Sequence, residues 1–245
     1  MPETTHIAMW SGPRNLSTAM MYSFGNRPDT FASDEPFYAH YLANTSTDHA
    51  MAEEVIRAGE PDWRVVAQHL RGPAPDRAPL WYQKHMCHHM LPHMDFDWTQ
   101  GMKHCLLIRH PREVLLSLAQ KTDAVDAHAT GLPQQVHIVA AVHQQTGQAP
   151  LVVDARDILE NPRGMLTVLC DRLGIAFNEA MLRWPKGPKP FDGVWAPHWY
   201  DGVWASEGFG TWRPRTGTLS PAAQQALDAV LPLYAQLAET RLRVV

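Results

Sequence analysis

The sequence predicts an α/β protein with a mostly parallel central sheet flanked by helices. Three short apolar runs carry this prediction, at residues 6–10, 104–108 and 151–153, and each is followed by apolar residues at helical spacing. Strands that alternate with amphipathic helices form a parallel sheet, which binds ligands at the carboxyl ends of its strands. With 245 residues, of which 45% are hydrophobic, the chain can bury one sizeable core. We therefore expect a single domain over residues 1–245.

The first strand and helix are predicted at the start of the chain. The apolar run at 6–10 is closed by Ser11-Gly-Pro13, which indicates a turn. Apolar side chains then recur every three or four residues, at Leu16, Ala19, Met20 and Phe24. The pattern is that of a strand, a turn and a helix.

Two further strand and helix pairs follow. The run at 104–108 leads to Pro111, which suits the first turn of a helix because its missing N–H has no partner there. The run at 151–153 is short and β-branched, as in a buried strand, and the helix after it ends at Gly174.

The last third of the chain has a different composition. Between about 184 and 217, many Gly and Pro residues accompany five tryptophans, which are Trp184, Trp195, Trp199, Trp204 and Trp212. This composition indicates a long ordered loop or lid, some of whose rings can line a ligand pocket. Ser220-Pro221 then begins a helix that we expect over about 220–241.

Composition excludes several classes of protein. The formal net charge of −4 argues against binding to nucleic acid or to an anionic membrane, because both reward an excess of Lys and Arg. The three cysteines are odd in number and scattered, unlike a disulfide framework. The N-terminus lacks the pattern of a signal peptide, and no apolar run approaches the roughly 20 residues that span a bilayer. We expect a cytoplasmic protein. Its oligomeric state is not assigned.

Two elements have the residues of anion sites. In residues 11–18, the turn before the first helix combines backbone N–H groups with Arg14, Ser17 and Thr18. It lacks the spacing of a Walker A loop. The alternative is a capped helix with a surface arginine. In the second element, Arg109 follows a strand and Ser117 lies about two helical turns later, so both can reach one anion. The alternative there is a surface ion pair.

Together these residues resemble the sulfotransferase family. Residues 13–18 match the loop that holds the 5′-phosphosulfate of the donor, and residues 107–117 match the strand and helix that hold its 3′-phosphate. A third match, at 152–162 with 169–174, resembles the family's D-L-x-x-N-P turn and the helix after it. The matches stand in the family's order. Asn15-Leu16 replaces the usual Ser-Gly, and the late Arg-Lys-Gly segment is missing, although Gly210-Thr-Trp212 resembles the family pattern immediately C-terminal to that segment.

The resemblance implies a P-loop NTPase-like three-layer sandwich of the bacterial type, with 3′-phosphoadenosine 5′-phosphosulfate (PAPS) as sulfonate donor. The acceptor is then a small molecule with a hydroxyl or an amine, and no metal is required. The implied donor-binding residues are Arg14, Asn15, Leu16, Ser17, Thr18, Arg109 and Ser117.

The acceptor must lose a proton during transfer, and two candidate bases stand out. Glu35, in Asp34-Glu-Pro-Phe-Tyr38, resembles the Glu-Pro segment in which bacterial sulfotransferases place their base. The second candidate is His85 with Lys84 beside it, because many members of the family use a His after a strand and a nearby Lys on the phosphosulfate. The nearby histidines, His85, His88, His89 and His93, also suggest a metal site, but they lack HExxH spacing and accompanying carboxylate or Cys ligands.

Two other functions remain open at the level of sequence. A small-molecule kinase would use Mg²⁺ ligands and a loop lysine, neither of which is evident. A non-catalytic module that binds an adenine nucleotide would keep the anion loops without a base.

Overall fold

The computed structural model of the protein describes residues 4–46, 49–120 and 126–244. Its strands are β1 (Thr5–Ser11), β2 (Thr30–Asp34), β3 (Leu80–Met86), β4 (Lys103–Ile108) and β5 (Leu151–Asp154). They form one sheet in the order β2-β3-β1-β4-β5, in which β2 pairs with β3 and β4 with β5 in parallel. The predicted α/β class, with a mostly parallel central sheet flanked by helices, is confirmed.

The α-helices of the described residues lie between and after these strands, except that β3 runs to β4 without one. In chain order they are α1 (Ser17–Gly25), α2 (Tyr38–Ala43), α3 (Ala52–Ala58), α4 (Trp63–Leu70), α5 (Pro111–Leu118), α6 (Leu132–Thr146), α7 (Ala155–Glu160), α8 (Pro162–Leu173), α9 (Ala196–Trp199), α10 (Asp201–Trp204) and α11 (Pro221–Glu239). Within the described residues, no helix combines the length and the apolar character needed to cross a lipid bilayer.

Strand β3 is buried on both faces, as a parallel strand between helices is. All seven side chains of β3 are buried, including those of Gln83 and Lys84. Strand β2 has one buried side chain among five, and for that reason the apolar pattern of the sequence did not reveal it.

Local signals in the sequence explain the helix ends. Pro111 begins α5, and the preceding His110 accepts a hydrogen bond from the backbone N–H of Arg112. Ser220 caps α11 by accepting from the N–H of Ala223. Helix α8 ends at Gly174, whose φ of 72° is the left-handed conformation that glycine adopts without strain.

The chain forms two compact units. Unit 1 comprises Met1–Met9, Thr18–Lys103 and Asn178–Phe209, and unit 2 comprises Trp10–Ser17, His104–Phe177 and Gly210–Val245. In unit 1, β2 and β3 pair and the Phe24 ring stacks on Tyr82. In unit 2, α11 packs against α5, α6 and β5.

Candidate active site

The loop after β1 in unit 2 has an unusual backbone. Arg14 has a φ of 61° and Leu16 a φ of 76°, both in the left-handed region that residues with a Cβ rarely adopt. Each costs roughly 1–2 kcal/mol, and such conformations cluster at ligand sites. Leu16 stands where the sulfotransferase resemblance expects glycine, and it adopts the conformation that glycine favours. Left-handed residues in a turn can aim backbone N–H groups at an anion.

Asn15 anchors this loop to the sheet. Its side chain is 1% exposed, and its Nδ2 donates to the carbonyl of Leu107 at 3.1 Å. Gln135 donates to the same carbonyl at 2.7 Å. Gly12 lies against the segment before α6, because a Cβ there would be 2.9 Å from the carbonyl oxygen of Thr130. The hydrogen bond from Asn15 to Leu107 therefore ties the loop after β1 to strand β4.

The two predicted anion elements meet within unit 2. Arg14 Nε donates to Ser117 Oγ at 3.0 Å, and Arg109 Nη1 donates to the carbonyl of Arg14 at 3.0 Å. Arg109 also pairs with Glu113 through Nε at 2.9 Å and Nη2 at 2.8 Å. The structure thus brings Arg14, Arg109 and Ser117 together.

A third arginine, which the sequence analysis did not assign, joins them. Partial burial lowers the pKa of the Arg14 guanidinium, and the positive charges of Arg215 and Arg109 lower it further. Burial and the charge of Arg109 likewise lower the pKa of Arg215, against the opposing effect of Glu113. Among the described residues, the positive charges of Arg14, Arg109 and Arg215 thus act on one another, and Glu113 pairs with Arg109. This excess of positive charge favours an anion.

Ser17 and Thr18 occupy the first turn of α1. Ser17 is 7% exposed and closes the unit 2 part of the loop, and Thr18 is the first residue of the adjoining segment of unit 1. Their positions in the chain are those expected for hydroxyls near the N-terminus of a helix that follows an anion loop.

The candidate bases lie in unit 1, where a buried ion cluster occupies the ends of β2 and β3. Lys84 Nζ contacts Asp34 Oδ1 at 2.8 Å and Glu35 Oε1 at 2.7 Å, and the side chains of Lys84 and Asp34 are each 1% exposed. Glu35 is 12% exposed and has a φ of 44°. Glu35 Oε2 lies 3.9 Å from His89 Nε2 and accepts no hydrogen bond from the described residues. One oxygen of Glu35 is thus held and the other is available.

Tyr200 completes this cluster. Its hydroxyl oxygen accepts from Lys84 Nζ at 2.6 Å and from Trp195 Nε1 at 3.3 Å, and its hydrogen donates to Asp34 Oδ2 at 2.8 Å. The backbone N–H of Gly193 donates to the same Asp34 oxygen at 3.1 Å. Asp34 and Tyr200 were not assigned from the sequence, although an Asp that precedes Glu35 at a strand end was a usable signal.

The charges of the cluster follow from its contacts. Burial by itself would lower the pKa of Lys84, but the carboxylates of Asp34 and Glu35 raise it well above its usual value. Burial, and next the negative charge of Asp34, raise the pKa of Tyr200 well above its usual value. Lys84 therefore stays an ammonium and Tyr200 stays a hydroxyl near neutral pH.

His85 lies on the opposite face of β3 from Lys84, because side chains alternate along a strand. It is 1% exposed, its Nε2 lies 3.2 Å from Gln83 Oε1, and its ring packs against Phe37 and Trp98. The structure thus places Lys84, and not His85, in direct contact with Glu35.

Two of the other histidines, His88 and His89, form an aromatic cluster with Tyr38 and Tyr41. The His89 ring stacks on Tyr38 at 4.7 Å and on Tyr41 at 4.8 Å, and His88 contacts Tyr41. Burial lowers the pKa of His88 to about 4 and the pKa of His89 well below its usual value. Across the described ranges, no three His, Cys, Asp or Glu side chains are arranged to hold a metal ion.

Comparison with known proteins identifies a family whose model matches this chain. The family model described as "Sulfotransferase domain" matches residues 5–241. Two curated proteins of Arabidopsis thaliana are also similar. "Branched-chain-amino-acid aminotransferase-like protein 2" is 35% identical over 93% of this chain and 40% of its own length. "Branched-chain-amino-acid aminotransferase-like protein 1" is 37% identical over 96% of this chain and 42% of its own length. The chain thus spans about two-fifths of these plant proteins, whose names describe the longer chains.

Solved structures share the fold. The sulfotransferase domain from the curacin biosynthetic pathway has a TM-score of 0.58 at 14% identity, covering 94% of this chain and 99% of that one. A sulfotransferase from Alicyclobacillus acidocaldarius has a TM-score of 0.55 at 12% identity, over 96% and 94%. The sulfotransferase domain of the Synechococcus PCC 7002 olefin synthase has a TM-score of 0.51 at 18% identity, over 94% and 96%. At these identities the likeness concerns the fold.

Proposed function

The chain belongs to the sulfotransferase domain family, and from this premise we propose that it transfers a sulfonate group from PAPS to a small-molecule acceptor with a hydroxyl or an amine. The observation that carries the proposal is the contact between the two predicted anion elements, in which Arg14 Nε donates to Ser117 Oγ and Arg109 Nη1 donates to the carbonyl of Arg14, with Arg215 adding a third positive charge. A donor with phosphate groups at both its 3′ and 5′ positions matches such an excess of positive charge.

In the proposed complex, the loop after β1 binds the 5′-phosphosulfate. Its backbone N–H groups and Arg14 stabilise the charge on the leaving phosphate, and the hydroxyls of Ser17 and Thr18 add donors. Asn15 and Leu16 contribute by keeping the loop in its left-handed conformation. Arg109 and Ser117 bind the 3′-phosphate.

We assign Arg215 to the same anion. It lies three residues after Trp212, C-terminal to the position of the missing Arg-Lys-Gly segment, and the effect of the Arg109 charge on the pKa of Arg215 supports a shared ligand. In this proposal the positive charge of Arg215 replaces the charge that the missing Arg-Lys-Gly segment would supply.

The proposed reaction is an in-line displacement at sulfur. The acceptor oxygen or nitrogen forms a bond to sulfur while the bond from sulfur to the bridging phosphate oxygen breaks. The bridging oxygen keeps the bonding electrons, and the products are the sulfonated acceptor and adenosine 3′,5′-bisphosphate. The acceptor proton passes to a base. We propose Glu35 Oε2 for this role, because it is partly exposed and accepts no hydrogen bond from the described part of the chain.

Lys84 has a different role from the one that the resemblance implies. Its three N–H groups already bind Asp34, Glu35 and Tyr200, so it holds the base and leaves the phosphosulfate to Arg14. His85 is the alternative base, and its burial against Phe37 and Trp98 favours Glu35 over it.

The proposal also covers the metal requirement, the partner and the compartment of the reaction. No metal takes part in the proposed step. The proposed partner of the protein is its small-molecule acceptor. We propose the cytoplasm as the compartment, because the three scattered cysteines, Cys87, Cys105 and Cys170, do not make the disulfide framework of a secreted protein.

Calorimetry with adenosine 3′,5′-bisphosphate tests the donor site without an acceptor. ATP with Mg²⁺ serves as the parallel ligand. We expect the bisphosphate to bind at least ten times more tightly than ATP. Preference for ATP would favour a kinase. Bisphosphate binding without any sulfonate transfer from PAPS would favour a non-catalytic nucleotide-binding module.

A further inference from the structure

Tyr200 differs from the other residues of the Trp-rich segment in unit 1 because its hydroxyl lies inside the ion cluster. The residue is 5% exposed, and its oxygen makes three hydrogen bonds, to Lys84, Trp195 and Asp34. A phenol oxygen donates one hydrogen bond and accepts two, so the hydroxyl is fully used.

Lys84 is satisfied in the same way. An ammonium has three N–H donors, and those of Lys84 are directed at Asp34, Glu35 and Tyr200 over 2.6–2.8 Å. Only one of the three therefore acts on Glu35, through Oε1. The second oxygen of Glu35 keeps its lone pairs for an acceptor.

We propose that Tyr200 is a positioning residue for the base, and that its hydroxyl keeps Lys84 bound to a single oxygen of Glu35. This inference rests on the proposed function. Without the hydroxyl, one N–H of Lys84 loses its acceptor in a buried site, where an unsatisfied donor is costly. Of the carboxylate oxygens in the cluster, Glu35 Oε2 accepts no hydrogen bond from the described residues, and an ammonium bound to it would occupy a lone pair and make it a weaker base for the acceptor proton.

The phenylalanine variant Tyr200→Phe tests this role, and the chain offers a matched control. Tyr22 is also a buried tyrosine that binds the Trp-rich segment, through Asp192 Oδ2 at 2.6 Å and Trp204 Nε1 at 2.9 Å. None of its hydrogen bonds reaches Lys84, Asp34 or Glu35. Tyr22→Phe therefore removes a buried hydroxyl that binds the same segment but makes no hydrogen bond to the ion cluster.

The assay follows release of adenosine 3′,5′-bisphosphate from PAPS, with water alone and with 4-nitrophenol as acceptors. We expect Tyr200→Phe to lower kcat about 10- to 100-fold, as misplacement of a reacting group does. The KM for PAPS and the Kd for the bisphosphate should stay within about twofold. We expect Tyr22→Phe to keep kcat within about twofold, even if both variants melt at a lower temperature.

Each other outcome counts against the inference. Equal losses of kcat in the two variants would show that Tyr200 acts only through stability. Wild-type kcat in Tyr200→Phe would show that Lys84 needs no third partner. A wild-type protein that binds the bisphosphate but releases none from PAPS faster than buffer does would overturn Glu35 as base, and this inference with it. Failure to bind the bisphosphate would overturn the proposed function itself.

Discussion

Replacing Arg109 by alanine should separate the two phosphates of the donor. The guanidinium has five N–H groups, of which two bind Glu113 and one binds the carbonyl of Arg14. The other two N–H groups have no partner among the described residues and can bind an anion. Hydrogen bonds to charged groups contribute about 1.5–3 kcal/mol, so Arg109→Ala should weaken binding of adenosine 3′,5′-bisphosphate roughly 10- to 150-fold.

Comparison of two ligands isolates the 3′ contact. Adenosine 5′-monophosphate lacks the 3′-phosphate, and we expect its Kd to change by less than about threefold in Arg109→Ala. Calorimetry measures both ligands. Arg172→Ala is the charge control, since Arg172 is an exposed arginine of unit 2 in the last turn of α8.

The pattern that refutes this assignment is an equal loss for both ligands. That result would mean that Arg109 acts through the carbonyl of Arg14, by holding the loop after β1. A loss of similar size in Arg172→Ala would mean that total charge, and not a contact, governs affinity.

Three further substitutions test other residues of the two units. Glu35→Gln should keep the Kd for the bisphosphate but lower transfer from PAPS about 10²- to 10⁴-fold, and a variant with full activity would move the base to His85. Arg215→Ala should weaken bisphosphate binding, whereas Arg213→Ala, exposed on the same segment, should not; equal effects would remove Arg215 from the site. The buried neutral His88, with its pKa lowered to about 4, makes the unfolded chain bind a proton more readily than the folded one. The free energy of unfolding should therefore fall by up to about 3 kcal/mol as the pH drops from 6.5 to 4. Urea titrations at both pH values should show a smaller loss of unfolding free energy for His88→Gln than for the wild type. An equal loss in the two proteins would show that other groups cause the loss of stability in acid.

Much of the donor loop was predictable because its residues are neighbours in the chain. A strand, a turn and the first turn of a helix bring residues 11–18 together whatever the remaining chain does. The same holds for Arg109 and Ser117, which lie on one strand and helix pair. The strands predicted at 6–10, 104–108 and 151–153 became Thr5–Ser11, Lys103–Ile108 and Leu151–Asp154, since buried parallel strands are continuous apolar runs.

The backbone conformation of the loop after β1 was harder to predict from the sequence. The departure from Ser-Gly to Asn15-Leu16 put its backbone in doubt at the level of sequence. The structure shows Leu16 in the left-handed region with Asn15 bound to Leu107. A buried hydrogen bond from one side chain can hold a strained neighbour, and residue propensities do not reveal such compensation.

The sequence by itself therefore determined the α/β class, and it also supplied the predictions of an anion loop after β1 and of a candidate base, because each is encoded in residues close together along the chain. Tertiary structure decided which distant side chains meet them. Tyr200 binds Asp34 across 166 residues of chain, and Arg215 shifts the pKa of Arg14 from the far end of the sequence. Such pairs depend on sheet order and on the path of the Trp-rich segment, and neither has a periodic signature. The physical reason is that burial makes an ammonium, a carboxylate and a hydroxyl satisfy one another wherever the fold brings them together.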